Sequence, residues 1–287
     1  MRPMNIQTEC YDCLLRLAEL TVNLAGGDPE KQERAIGRAR DIIEAEFRPG
    51  AVPALIANRF HRAIQELTGN PDPFSSRKQS ETAYLRDMHA RIAPSYADDL
   101  DSLLRLAVVG NAIDFFREEE EVTREILSRV VWSHNDLEPF RRELEGPGGA
   151  LLYLADNAGE QFFDLPLVTS LRGRGRQVLY VVKAGPIQND LTREDLSASG
   201  LGEALEPVLD TGAHTVGLEL GKVSPQFREL FAAAPIILAK GMGHFETMSH
   251  LKDPRIFFLL QAKCAPVAQA LEVLRGAFVF RRASGAY

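Results

Sequence analysis

The stretch Leu151-Leu152-Tyr153-Leu154-Ala155-Asp156-Asn157-Ala158-Gly159-Glu160 decides how the chain folds. Its first five residues are a continuous apolar run with no alternation, which reads as a strand buried on both faces of a sheet. The run stops abruptly on Asp-Asn, and helical spacing follows. The same unit recurs downstream. Short apolar runs at 177–182, 206–209, 236–239 and 256–261 alternate with amphipathic stretches, and 278–281 reads as a last strand. Strands separated by helical patterns predict βαβ units and a largely parallel sheet, in which ligands bind beyond the carboxyl ends of the strands.

Upstream of Gly146-Pro147-Gly148-Gly149 the pattern is helical. Apolar residues Leu14, Leu17, Ala18, Val22 and Ala25 keep helical spacing over 10–24. Asp28-Pro29 offers an N-cap and a proline at the first helical position. A third helix is expected from Pro53 to Thr68, and others over 78–92, 99–115 and 121–132. The expected organisation is a helical region over 1–145 and an α/β region over 146–287, the two able to pack as one unit.

With 287 residues, 45% hydrophobic and 25% charged, the chain can bury a sizeable core. A net charge of −7 argues against nucleic acid or an anionic membrane as partner. Three cysteines, Cys10, Cys13 and Cys264, imply no disulfide framework and fit a cytoplasmic setting. The first residues lack the apolar core of a signal peptide, and no run of about 18 apolar residues occurs.

Three strand ends carry polar clusters that the topology should open on one sheet edge. The first is Asp156, Asn157, Gly159 and Glu160. The second is Lys183-Ala184-Gly185-Pro186-Ile187-Gln188-Asn189-Asp190. The third is Lys240-Gly241-Met242-Gly243-His244-Phe245-Glu246. Asp156, Asn157 and Asp190 offer only oxygen ligands, which suit hard divalent ions. Lys183 and Lys240 suit a phosphoryl group as point charges, and the glycines let backbone approach a ligand. Taken singly, an Asp-Asn pair after a strand is more often a turn or a cap, and a lysine there is a solvated strand end. Convergence of three clusters favours a site. In the helical region, Gly110-Asn111-Ala112-Ile113-Asp114 interrupts an apolar helix. Asn111 and Asp114 share a face, which spacing alone reads as a surface near a helix end.

Taken in order, Asp156 to Glu160, Lys183 to Asp190, Lys240 to Glu246 and Leu260 to Cys264 resemble the DUF89 family of damage-control phosphatases, also described as acidic-residue-methyltransferase-like. Cys10-x-x-Cys13 and the stretch from Gly110 to Asp114 are similar to its prokaryotic branch. The resemblance implies a helical N-terminal region beside a Rossmann-like, three-layer α/β/α domain with a mostly parallel sheet. It implies hydrolysis of phosphate monoesters of small metabolites, sugar phosphates included, with Mn²⁺, Ni²⁺, Co²⁺ or Mg²⁺. It places the metal on Asp156, Asn157 and Asp190 and the phosphate on Lys240, with Lys183 as a second cation. Gly159, Glu160, Asn111, Asp114 and His244 are then substrate-side candidates, and Glu246 or Asp114 would orient the attacking water. His244 stands where the family pattern has asparagine.

Other readings compete. A non-catalytic module could bind phosphorylated ligands at the same edge. A methyltransferase would want a glycine-rich first βα turn, which the chain lacks. Cys10-x-x-Cys13 could be a redox or metal element, although buried helix thiols are the commoner case. Gly241-Met242-Gly243 lacks the third glycine of a dinucleotide fingerprint.

Overall fold

In the computed structural model, residues 1–112, 130–146 and 148–283 are described. The first three helices form a small bundle. Helix α1 (Thr8–Ala25) buries Leu14, Ala18 and Val22, one turn apart. Helix α2 (Pro29–Glu46) starts where the Asp28 side chain accepts the Lys31 N–H at 2.9 Å, with Pro29 in the first position. Helix α3 (Pro53–Thr68) stops at Gly69, whose φ of 74° only glycine adopts freely. Ile43, Phe60 and Ile64, all fully buried, close the bundle. Each such side chain contributes roughly 1.5–3 kcal/mol when removed from water.

Helices α4 (Ser75–Ile92) and α5 (Leu100–Ala112) leave the bundle and lie on the sheet. The remaining elements are β1 (Trp132–Asn135), α6 (Leu137–Glu145), β2 (Leu151–Leu154), α7 (Gln161–Gly173), β3 (Val178–Val182), α8 (Arg193–Ala198), α9 (Gly202–Leu205) and β4 (Val208–Asp210). They are followed by α10 (Pro225–Ala233), β5 (Ile236–Lys240), α11 (Gly241–Met248), β6 (Ile256–Gln261), α12 (Ala265–Leu271) and β7 (Phe278–Arg282).

The seven strands form one sheet in the order β1-β7-β6-β5-β2-β3-β4. The five strands β6-β5-β2-β3-β4 are parallel. Strand β7 runs antiparallel to β6, and β1 runs parallel to β7. Strands β2, β3, β5 and β6 are buried at every position, which explains their unbroken apolar sequence. Tyr153, Tyr180, Leu238 and Phe257 face α4, α5 and α7. Leu152, Val181, Ile237 and Phe258 face α10, α11 and α12. The result is three layers.

Chain order makes the site. From β2 the sheet grows one way through β3 and β4, and the other way through β5 and β6. The connections diverge between β2 and β5, the switch point where a doubly wound sheet opens a crevice at its carboxyl edge.

One expectation is corrected. The helix expected over 121–132 does not reach Trp132, which begins β1. Trp132-Ser133-His134-Asn135 alternates between partial burial and exposure, as an edge strand does. This strand lies upstream of residue 145, so the sheet draws on both expected regions. Helix α5 runs through Gly110 and Asn111 as expected, and Gly110 lets it pack closely on α7, where a side chain would meet the Phe163 ring at 3.1 Å. Residues 121–129 of the expected helix and Asp114 lie outside the described residues. No helix among the described residues is long and apolar enough to cross a membrane.

Candidate active site

Strand β2 ends into Asp156-Asn157, and the loop after β3 folds back beside it. The Leu191 N–H donates to the Asp156 carbonyl and the Ala158 N–H to the Asn189 carbonyl, both at 2.8 Å. Asn157 and Asp190 are thereby bridged as backbone neighbours. Two residues 33 positions apart are set side by side by main-chain bonds, before any side chain contributes.

Around this junction the side chains interlock. Asn111 on α5 is 2% exposed and donates to Asp156 Oδ2 at 2.8 Å and Glu160 Oε1 at 3.2 Å. Its own oxygen accepts the Gln261 N–H at the end of β6 at 3.3 Å. The Asn157 amide donates to the same two carboxylates, at 3.0 and 2.7 Å. Asn111 is therefore a buried connector between α5, β2 and β6, not the surface residue its spacing suggested.

Gly241 opens α11 against Asp156. Its φ is +80°, and a side chain there would meet Asp156 Oδ2 at 1.9 Å. Only glycine leaves room for that carboxylate. Gly159 serves packing instead: a side chain at this position would meet Leu85 of α4 at 2.4 Å.

Both expected lysines are buried and paired. Lys240 Nζ, 0% exposed, lies 2.6 Å from Glu160 Oε2 and 2.5 Å from Asp164 Oδ1. Lys183 Nζ donates to the Gly217 carbonyl at 2.5 Å and lies 3.4 Å from Asp190 Oδ2. It also faces His244 Nε2 at 3.2 Å. The other ring nitrogen, Nδ1, is 2.7 Å from the Lys240 carbonyl, which can only accept, so Nδ1 carries the proton. Burial, and then the Lys183 charge, hold this imidazole well below its usual pKa and keep it neutral.

Lys240 is thus paired inside the cluster as a counter-charge. Glu246 is directed elsewhere. It lies two residues beyond His244 on α11, so it points roughly 200° away around the helix. There it accepts the Ala54 N–H at the start of α3 at 3.0 Å.

The electrostatics follow from burial. Burial raises Asp156 well above the usual carboxylate range, with the Glu160 and Asp190 charges adding to it. Burial also lifts Asp190 to about 6 while Lys183 opposes the shift. Glu160 goes the other way: burial is outweighed by the Lys240 ammonium and by hydrogen bonds from Lys240 and Asn157. Four carboxylates (Asp156, Glu160, Asp164 and Asp190) face two ammonium groups (Lys183 and Lys240), all at most 7% exposed. The formal surplus is two negative charges.

That surplus fits a divalent cation, and the donors fit it as well. Asp190 Oδ2 is buried and makes no well-directed hydrogen bond. The remaining oxygens are carboxylate and amide oxygens, the donor set hard ions take. Among the described residues no three His, Cys, Asp or Glu side chains converge on one point as a ready-made metal cage. The group here is smaller, two carboxylates and an amide.

Four residues were missed in the sequence. Asp164, Tyr153 and Tyr180 form a buried extension of the cluster. Their signals were present: two tyrosines in otherwise aliphatic strands, and an acid four positions after Glu160 on one helix face. The fourth is Lys263, just past the end of β6. It is half-buried, makes no side-chain ion pair among the described residues, and its charge helps to lower Glu160.

A doubly wound sheet with buried acids and lysines at its switch point defines an α/β enzyme of the kind that handles charged small molecules. The chain belongs to the damage-control phosphatase ARMT1-like domain family, whose model matches residues 6–279. It is 36% identical over 285 residues to a damage-control phosphatase of Pyrococcus horikoshii, covering 97% of this chain and 98% of that protein. A damage-control phosphatase of Archaeoglobus fulgidus is 28% identical, covering 96% of this chain and 98% of the relative. The crystal structure of a DUF89 family protein from Pyrococcus horikoshii superposes with a TM-score of 0.87 at 35% identity, covering 98% of this chain and 100% of that one. The chain is a phosphatase, so its substrate carries a phosphate, and its family points to a divalent metal.

Proposed function

We propose that this phosphatase hydrolyses phosphate monoesters of small metabolites, sugar phosphates among them, with a divalent ion (Mn²⁺, Ni²⁺, Co²⁺ or Mg²⁺) held by Asp156, Asn157 and Asp190. The observation that carries this reading is the surplus of two negative charges buried where β2 and β3 end. When bound, such an ion neutralises charge at the phosphoryl oxygens and acidifies nearby water.

The chain's own residues do the rest. Asn111 and Asn157 fix the rotamer of Asp156 through their amide donors. Lys183 steadies Asp190, and neutral His244 steadies Lys183. Lys240 balances Glu160 from behind rather than touching substrate. Lys263 is the residue that takes a phosphoryl oxygen, as a charge-assisted contact. Glu246 has no part in the chemistry, since its carboxylate is bonded at α3.

Phosphate release from a panel of sugar phosphates, measured before and after chelation and then with each ion restored, tests the reading. Loss on chelation and recovery with at least one ion is expected. Turnover indifferent to chelation would sink the metal assignment, and tight binding of every sugar phosphate without release would favour a non-catalytic module.

A further inference from the structure

The least expected polar group in the molecule is Asp164. It is 0% exposed on the inner face of α7, one turn beyond Glu160, and takes no part in the chemistry above. Three donors converge on it. Tyr153 of β2 donates its hydroxyl to Oδ1 at 2.8 Å, and Tyr180 of β3 to Oδ2 at 2.7 Å. Lys240 of β5 donates to Oδ1 at 2.5 Å. Both tyrosines are fully buried, with ring centroids 5.3 Å apart. Three adjacent strands of the sheet thus place one donor each on a single carboxylate.

The consequence runs toward the metal site. Lys240 donates to Asp164 and is ion-paired with Glu160 Oε2 at 2.6 Å. Glu160 in turn receives both amides that orient Asp156. The chain of contacts is Tyr153 and Tyr180, Asp164, Lys240, Glu160, the two asparagine amides, and Asp156. We propose that Asp164 is a positioning residue: held by Tyr153 and Tyr180, it pins the Lys240 ammonium against Glu160 and so sets the charge and shape of the divalent-cation site.

Two effects act in one direction. Without the Asp164 charge, the buried surplus falls from two negative charges to one. Lys240, released from one anchor, brings its positive charge closer to the cation site. Both weaken cation binding. A buried charge stripped of a partner is also costly in its own right. The inference rests on the metal reading, so the test separates the two.

The measurement is a calorimetric titration of Mn²⁺ into the chelated, full-length chain, with thermal unfolding of each sample recorded alongside. Asp156→Ala is the control for the site itself and should abolish binding. Asp164→Asn should raise the Mn²⁺ dissociation constant roughly 10–100-fold, the range for residues that support ligands without touching the metal. The double variant Tyr153→Phe/Tyr180→Phe removes only two hydroxyls. It should shift the constant in the same direction by less, and it carries the test if Asp164→Asn does not fold. A merely structural role would lower the unfolding temperature and leave the dissociation constant of the folded chain within twofold of the parent, which overturns the inference. Undiminished binding in Asp156→Ala would overturn the metal reading and this inference with it.

Discussion

Helix α11 separates two collections of titratable groups that solve the problem of burial in opposite ways. On one side lies the switch-point cluster, where every acid has a lysine or an amide against it. On the other, Glu246 lies within electrostatic reach of Cys10, Cys13 and Cys264, the only three cysteines of the chain. Arg16 stands beside Cys13 and opposes the rise of its thiol. Burial raises all three thiols, Cys264 to about 12, and lifts the Glu246 carboxyl to about 7. In the first corner lysines oppose the rise of the buried acids and hold Glu160 down, whereas Glu246 rises with only a backbone N–H against it. Acidic side chains gathered from distant sequence thus differ in the counter-charges built in beside them.

Breaking the first corner should have the largest effect. Asp156→Ala removes the carboxylate on which both amides converge, and should lower phosphate release by about 10³-fold or more, several kcal/mol of barrier. Gly241→Ala comes next. Its methyl would occupy the space of Asp156 Oδ2, at a backbone angle that costs roughly 1–2 kcal/mol for an L-residue. Turnover should fall roughly 10²-fold through displacement of that carboxylate, and normal turnover would show that Asp156 is not placed where it matters. Lys263→Met removes the cation just past β6 while leaving Lys183 and Lys240 in place. A charge-assisted contact is worth about 1.5–3 kcal/mol, so KM for a sugar phosphate should rise by at least tenfold. An unchanged KM would return the phosphate contact to one of the buried lysines.

The contrast between the corners also marks what could be read in the sequence. Asp156, Asp190 and Lys240 were legible because each follows an unbroken apolar strand, and topology alone brings such ends to one edge. Whether a lysine there is paired was not legible. Lys240 and Lys263 both follow strands of the same sheet, and only Glu160 and Asp164, on a helix packed over β5, distinguish them. Asn111 was reached only through the family resemblance, because α5 is buried on nearly every face and helical spacing could not tell an inward polar residue from an outward one. Glu246 was drawn into the site by its nearness to His244 in the chain, although a helix turns residues two positions apart to opposite sides. Strand β1 escaped because four half-exposed, mostly polar residues carry little strand signal. Helix α3 shows the same limit. Asn58 holds Val216, His61 meets Gln188, and Gln65 reaches the Pro186 carbonyl, so one face of a bundle helix grips the loops after β3 and β4. None of these contacts follows from helical spacing.

The smallest effect should come from the second corner, and it concerns stability rather than turnover. Glu246 has a folded-state carboxyl near 7 against an ordinary value of 4.5. A group raised on folding adds stability that is complete below its unfolded pKa and is lost as pH climbs through the folded one. The parent chain should therefore lose stability between pH 5 and pH 8 on this account. Glu246→Gln keeps an oxygen for the Ala54 N–H and has no proton to lose. At pH 4, below the unfolded value, the two proteins should unfold together. At pH 8 the variant should be more stable by on the order of 1–2 kcal/mol, because partial exposure screens the full shift. That is a rise of a few degrees in the unfolding midpoint of a domain this size. Thermal unfolding of both chains at the two pH values decides it. A variant less stable than the parent at pH 8 would mean that Glu246 works as a charge there, with a counter-cation beside it.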